Sequence, residues 1–189
     1  YRAAAQIAGA QVVIDSSKQP SLSHVLAGSK AIDLRVVHCV RDARAVAHSW
    51  TKAVGRPEAR GSVGTLMTQY GPLKTARHWA IHNTAVEALR ARGVRVSLMR
   101  YEDFVADATG HVEDLLRFAG VDLGTAPAAP GAGLQHSCSG NPMRFSTGPV
   151  SIRRDDAWMS ALPASDRRKV TLMTAPLLAR YGYDLAVQA

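Results

Sequence analysis

Apolar residues along this chain follow two rhythms: short β-branched runs, and stretches in which they recur every three or four residues, the spacing of one helix face. After a short helical start, QVVIDS (11–16) reads as a buried strand whose polar end meets a site. PSLSHVLAG (20–28) makes a short helix closed by Gly28. LRVVHCV (34–40) is the second expected strand, and Asp42 is a suitable N-cap for the helix ARAVAHSWTKA (43–53). Residues 54–65, rich in Gly, Arg and turn formers, read as a mobile loop.

From Leu66 to about Arg92 the pattern is helical, interrupted near Gly71 and Pro72, with faces marked by Trp79, Ala80, Asn83, Val86, Leu89 and Arg90. VRVSLMRY (94–101) is a third strand, followed by EDF and a helix over 111–119. Gly120 to Pro149 is loop-like. Two helical segments end the chain: DDAWMSAL (155–162), and ASDRRKVTLMTAPLLARYG (164–182), with Val170, Leu172, Met173, Leu177 and Leu178 as its apolar positions. Strands alternating with helices predict an α/β fold, a parallel sheet flanked by helices. A length of 189 residues suits a single domain over 1–189.

Composition changes this picture little: 47% hydrophobic and 20% charged residues are ordinary for a globular chain. Charge adds more. With 23 Lys plus Arg against 15 Asp plus Glu, the formal charge is +8, which favours anionic ligands without choosing among them. There is no block of consecutive basic residues longer than Arg167–Lys169, no RNA-reading aromatic motif and only 6% aromatics, so nucleic acid is not an expected partner. Cys39 and Cys138 make neither a disulfide framework nor a zinc quartet, which suits a reducing, cytoplasmic setting. No apolar run is long enough to span a bilayer, and YRAAAQIAGA lacks a signal-peptide layout.

The junction of the second strand and its helix carries the candidate chemistry. Ligands of open parallel sheets bind beyond the strands' carboxyl ends, where Arg41 falls. Ser49 lies two helical turns past Asp42, on the face shared by residues 42, 45 and 46. A guanidinium and a hydroxyl so placed can converge on one phosphate. The plain alternative is that Arg41 pairs with a nearby carboxylate and Ser49 bonds its own helix.

The pattern strand-R-D-x-R-A-V-x-x-S resembles the 3′-phosphate-binding element of sulfotransferases that use 3′-phosphoadenosine 5′-phosphosulfate (PAPS), particularly the bacterial branch. The resemblance runs in order through VVIDSSK (12–18), RDARAVAHSW (41–50), MRYEDFVAD (99–107), SGNPMRFSTGPV (139–150) and PLLARYGY (176–183). Ala43 departs from it, standing where proline is usual. The resemblance implies a P-loop NTPase-like core with a three-layer parallel sheet, and a cofactor 3′-phosphate held by Arg41, Ser49 and Arg144. It also implies a phosphate loop after the first strand. No Gly-x-x-[RK]-[ST]-G-[ST] pattern precedes residue 11, and the chain opens without Met in mid-helix, so a fragment lacking that strand and loop, inactive by itself, is expected.

Sulfuryl transfer needs a base for the acceptor and positive charge for the leaving phosphate. Asp15 is the candidate base and His136 its alternative, while Lys18, with Ser17, is the candidate partner of the sulfuryl oxygens or leaving group. For Asp15 and His136, capping or loop hydrogen bonding is an equal reading. Glu102 and Asp103 read as a helix cap or a hold on a basic partner. His78 and His82 stand one turn apart, but Trp79 takes the place of a zinc-protease glutamate, and no metal is expected. The acceptor is a small molecule or glycan bearing a hydroxyl or amine, and an unpaired strand edge admits a homodimer. A non-catalytic nucleotide- or nucleic-acid-binding remnant is the competing reading. A nucleoside or shikimate-type kinase ranks below both, for want of a phosphate loop and a magnesium-binding carboxylate.

Overall fold

The structure, a computed structural model, describes residues 1–55, 66–121 and 152–186. His136, Arg144, Cys138 and most of the two expected long loops lie outside the described residues. In chain order the elements are α1 (Arg2–Ala8), α2 (Pro20–Ala27), β1 (Arg35–Val40), α3 (Ala43–Thr51), α4 (Pro72–Ala91), β2 (Arg95–Arg100), α5 (Tyr101–Ala106), α6 (Ala108–Ala119), α7 (Trp158–Ala161) and α8 (Ala164–Arg180). They fall into two compact units, one comprising Tyr1–Val40 and the described residues from Ile81 to Val121, the other Arg41–Ala80 and residues 152–186. The division passes between β1 and α3 and through α4.

In the first unit β1 and β2 pair in parallel, from Arg35 beside Arg95 to Val40 beside Arg100. Parallel neighbours need a long crossover, supplied here by α3 and α4. Among the described residues the sheet has these two strands. QVVIDS is not a strand: residues 11–19 are irregular, and Val12, Val13 and Ile14 are 38%, 41% and 87% exposed. β-propensity expresses fit to a paired, half-buried surface, and no described strand pairs with this run. Along β1, His38 and Val40 are buried while Val37 and Cys39 are exposed. The α6 helix packs on both strands, capped by Asp107 at its start and by left-handed Gly120 (φ 76°) at its end. A side chain at Gly120 would be doubly penalised, by that φ and by the Arg35 guanidinium, which donates to Phe118 O at 2.7 Å.

His38 is 5% exposed and donates from Nε2 to Asn83 Oδ1 at 2.7 Å, with Glu87 Oε1 4.0 Å from Nδ1. Burial pushes its pKa down from 6.5; Arg90 adds to this, while Asn83 and Glu87 oppose it. Below pH 6.5 the unfolded chain therefore takes up a proton that the folded chain resists, and stability falls as pH drops from there toward the depressed folded value. Denaturant midpoints measured across this range should show a shallower acid-side slope in His38→Gln than in wild type.

The second unit is built on α3. Ala43, Ala45 and Ala47 are buried against α7 and α8, whose Trp158, Leu162, Val170 and Leu178 complete the core with Trp79 and Tyr181. Alanine permits this close packing because it adds little bulk between backbones. The helical reading from Leu66 is corrected: residues 66–71 are not helical, and α4 starts at Pro72, where a missing N–H costs nothing and the ring keeps the preceding residue out of the helix. Its Trp79, Asn83, Val86 and Leu89 form the buried stripe expected from their spacing. On α8 the expected face is corrected: Leu172 is 79% and Met173 45% exposed, while Thr171 and Thr174 are buried.

Candidate functional site

The turn from β1 into α3 is fixed by Asp42. Its side chain accepts from Arg44 N, the cap read in the sequence, and also pairs with the Arg44 guanidinium through Nε (2.9 Å) and Nη2 (2.7 Å). Both side chains are buried, at 7% and 5% exposed. Arg44 further donates to Asp184 O at 2.8 Å and lies over the Trp158 ring. One residue earlier, the Arg41 carbonyl accepts from Trp79 Nε1 at 3.0 Å. The backbone that presents Arg41 is thus held from both sides.

The Arg41 side chain is mostly covered, and its Nη2 donates to Asp155 Oδ2 at 3.0 Å and to Asp155 O at 3.2 Å. Lys52 Nζ stands 4.0 Å from that same Oδ2. Lys52 caps the far end of α3, about 15 Å along the helix from its start. The Arg41 guanidinium therefore reaches along the flank of α3 to an oxygen that Lys52 also faces. Ser49 lies on this helix, exposed and one turn before Lys52. His48 senses the same charges: burial lowers its pKa most, Lys52 and Arg41 lower it further, and Asp155 opposes them. The hydrogen bond from Arg41 holds the Asp155 carboxyl below the usual carboxylate range. Chemically, this is a pair of cations converging on one oxyanion.

The other described candidates, His78 apart, belong to the first unit. Asp15 is exposed; its Oδ2 accepts from the Tyr1 hydroxyl and its Oδ1 from Ser17 N at 2.6 Å. These bonds, the Tyr1 bond foremost, favour its ionised form. The carboxylate is therefore charged at neutral pH, as a base requires, though weakly basic. Lys18 has a left-handed backbone, φ 65°, uncommon for a residue with a side chain. Glu102 and Asp103 fill the first turn of α5, and Asp103 Oδ2 is 3.7 Å from Arg100 Nε, which agrees with holding a basic partner. His78 meets the Tyr70 ring edge-on, and His82 is exposed. Among the described residues no group of three or more His, Cys, Asp or Glu is placed to hold a metal ion, and no helix is long and apolar enough to cross a membrane.

Lys52 and Asp155 went unnoticed in the sequence. Lys52 had a local signal, lying three residues after Ser49 on a helix already read as presenting Ser49. Asp155 had none, being 114 residues from Arg41. Trp79 belongs to the buried face of α4, as its spacing predicts, and its second role as a donor to the Arg41 carbonyl has no sequence pattern.

Comparison with curated proteins and with solved structures gives no match to either. The family model described as Sulfotransferase domain matches residues 15–144, from the Asp15 segment through the Arg41–Ser49 element to Arg144. That match covers well over half of the 189 residues, and the chain belongs to the sulfotransferase domain family.

Proposed function

We propose that this protein is a PAPS-dependent sulfotransferase of bacterial type, in which Arg41 and Ser49 bind the 3′-phosphate of the donor. The observation that carries this reading is the oxyanion already held by Arg41. A guanidinium that grips a carboxylate oxygen 4.0 Å from a lysine, on the flank of the helix bearing Ser49, has the donors that a phosphate needs. The residues present therefore fit the group. PAPS, when bound, supplies the activated sulfuryl group.

Arg41 provides charge and orientation, and Ser49 one further donor. Asp15, ionised and accessible, accepts the proton of the acceptor hydroxyl or amine, with His136 as the alternative base. Lys18, with Ser17, offsets charge on the sulfuryl oxygens or leaving group, and Arg144 is the third phosphate ligand. The reading carries with it a single domain with a three-layer, P-loop-like core, a cytoplasmic setting, and a small-molecule or glycan acceptor without nucleic acid. A homodimer is compatible with it.

Calorimetry with 3′,5′-adenosine bisphosphate and 5′-AMP tests the proposal. Wild type should prefer the bisphosphate clearly. Arg41→Ala should lose measurable binding, and Ser49→Ala should weaken it about tenfold or more, the worth of one hydrogen bond to a charged group. Equal affinity for the two nucleotides would remove the basis for a 3′-phosphate site.

A further inference from the structure

The geometry of Asp155 points to more than an incidental ion pair. On its Oδ2 both Arg41 Nη2, at 3.0 Å, and Lys52 Nζ, at 4.0 Å, close. Its Oδ1 accepts from Ala157 N at 3.3 Å, so the carboxylate is also tied into the start of α7. We propose that Lys52 and Arg41 form a two-cation site for a phosphate dianion, and that Asp155 is its resident counter-ion, which leaves the two cations when the phosphate binds.

This inference rests on the reading of Arg41 as a phosphate ligand, and adds to it a second cation and an exchange. Charge counting supports the exchange. A phosphate dianion matches two cations in charge better than one carboxylate does. A dianion cannot settle beside Asp155 without strong like-charge repulsion, so one anion must yield to the other. Asp155 is 39% and Lys52 43% exposed, and ion pairs so open to water contribute little, so the carboxylate can turn into solvent at small cost. Phosphate, by contrast, offers several oxygens to the guanidinium and the ammonium together. Arg41 itself is better covered, at 22%, and its carbonyl is held by Trp79, so the cation stays while its partner changes.

Three proteins decide the matter: wild type, Asp155→Asn and Lys52→Gln, titrated with inorganic phosphate and with 3′,5′-adenosine bisphosphate at low salt. Both altered side chains are exposed, and thermal melts check that the fold is retained. Asp155→Asn should tighten both ligands about fivefold or more, and Lys52→Gln should weaken both by a similar factor while flattening the salt dependence. His48 gives a second readout by NMR titration. Because Asp155 raises its pKa against Lys52 and Arg41, Asp155→Asn should lower that pKa, and phosphate bound to this variant should raise it again. Unchanged or weaker phosphate binding in Asp155→Asn overturns the exchange, and unchanged binding in Lys52→Gln overturns the second cation. Failure of the parent reading is seen separately, in wild type alone, as indifference between the bisphosphate and 5′-AMP.

Discussion

Replacing Asp42 by alanine is expected to cost about 3–5 kcal/mol of stability. Asp42 is a helix cap and the partner of a buried cation at once. Its loss leaves the Arg44 guanidinium, 5% exposed, with the Asp184 carbonyl and the Trp158 ring but without its counter-charge. The uncompensated charge dominates, because removing the cap alone costs about 1 kcal/mol. Asp42→Asn separates the two terms: asparagine caps nearly as well, so it should retain the cap and lose the charge. The double variant Asp42→Ala/Arg44→Met should be more stable than Asp42→Ala, because an apolar side chain over Trp158 needs no partner. Urea midpoints of the four proteins check this order. If Asp42→Ala proves no worse than a lost cap, the Arg44 pair is not a structural pin for α3.

The parts of the fold that could be read in advance are those whose physics is local. Asp42 caps α3, and the stripe from Trp79 to Leu89 is buried, because each follows from residues within a few turns of one another. The misreadings share the opposite character. The QVVIDS run has the composition of a strand, yet a ladder belongs to two segments, and Val13 and Ile14 have no paired neighbour among the described strands. At the site, Arg41 and Ser49 were legible because a strand end and a helix phase fix their positions. The carboxylate alternative weighed for Arg41 was also real, and its identity, Asp155, was hidden by 114 residues of separation. The two readings of Arg41 are not rivals. A side chain suited to a phosphate is equally suited to a carboxylate, and a dry, unpaired guanidinium is costly.

The α8 helix shows how phase outranks composition, and it yields the second large effect: Leu178→Ala should destabilise the protein by about 2–5 kcal/mol, whereas Leu172→Ala should stay within about 0.5 kcal/mol of wild type. Both are leucines on one helix, six residues apart. At 100° per residue, Val170, Thr174, Leu178 and Tyr181 fall within one arc, with Thr171 at its edge and Leu172 opposite. The structure follows the arc: Leu178 is fully buried and Leu172 is 79% exposed. Thr174 is tolerated in the core because its hydroxyl donates to Val170 O at 2.7 Å, so it brings no unsatisfied polar group. Pro176 sits on the exposed side, and the carbonyl deprived of its N–H partner belongs to Leu172, on the opposite side from the core. Because α8 packs on α3, a cavity at Leu178 loosens the support of the helix that carries Ser49 and Lys52. Thermal melts of the two variants check the stability difference. Phosphate affinity measured well below the Leu178→Ala midpoint shows whether that support also sets the geometry of the anion site; a near-wild-type value there would mean that the Asp42 and Trp79 contacts alone hold Arg41 in place.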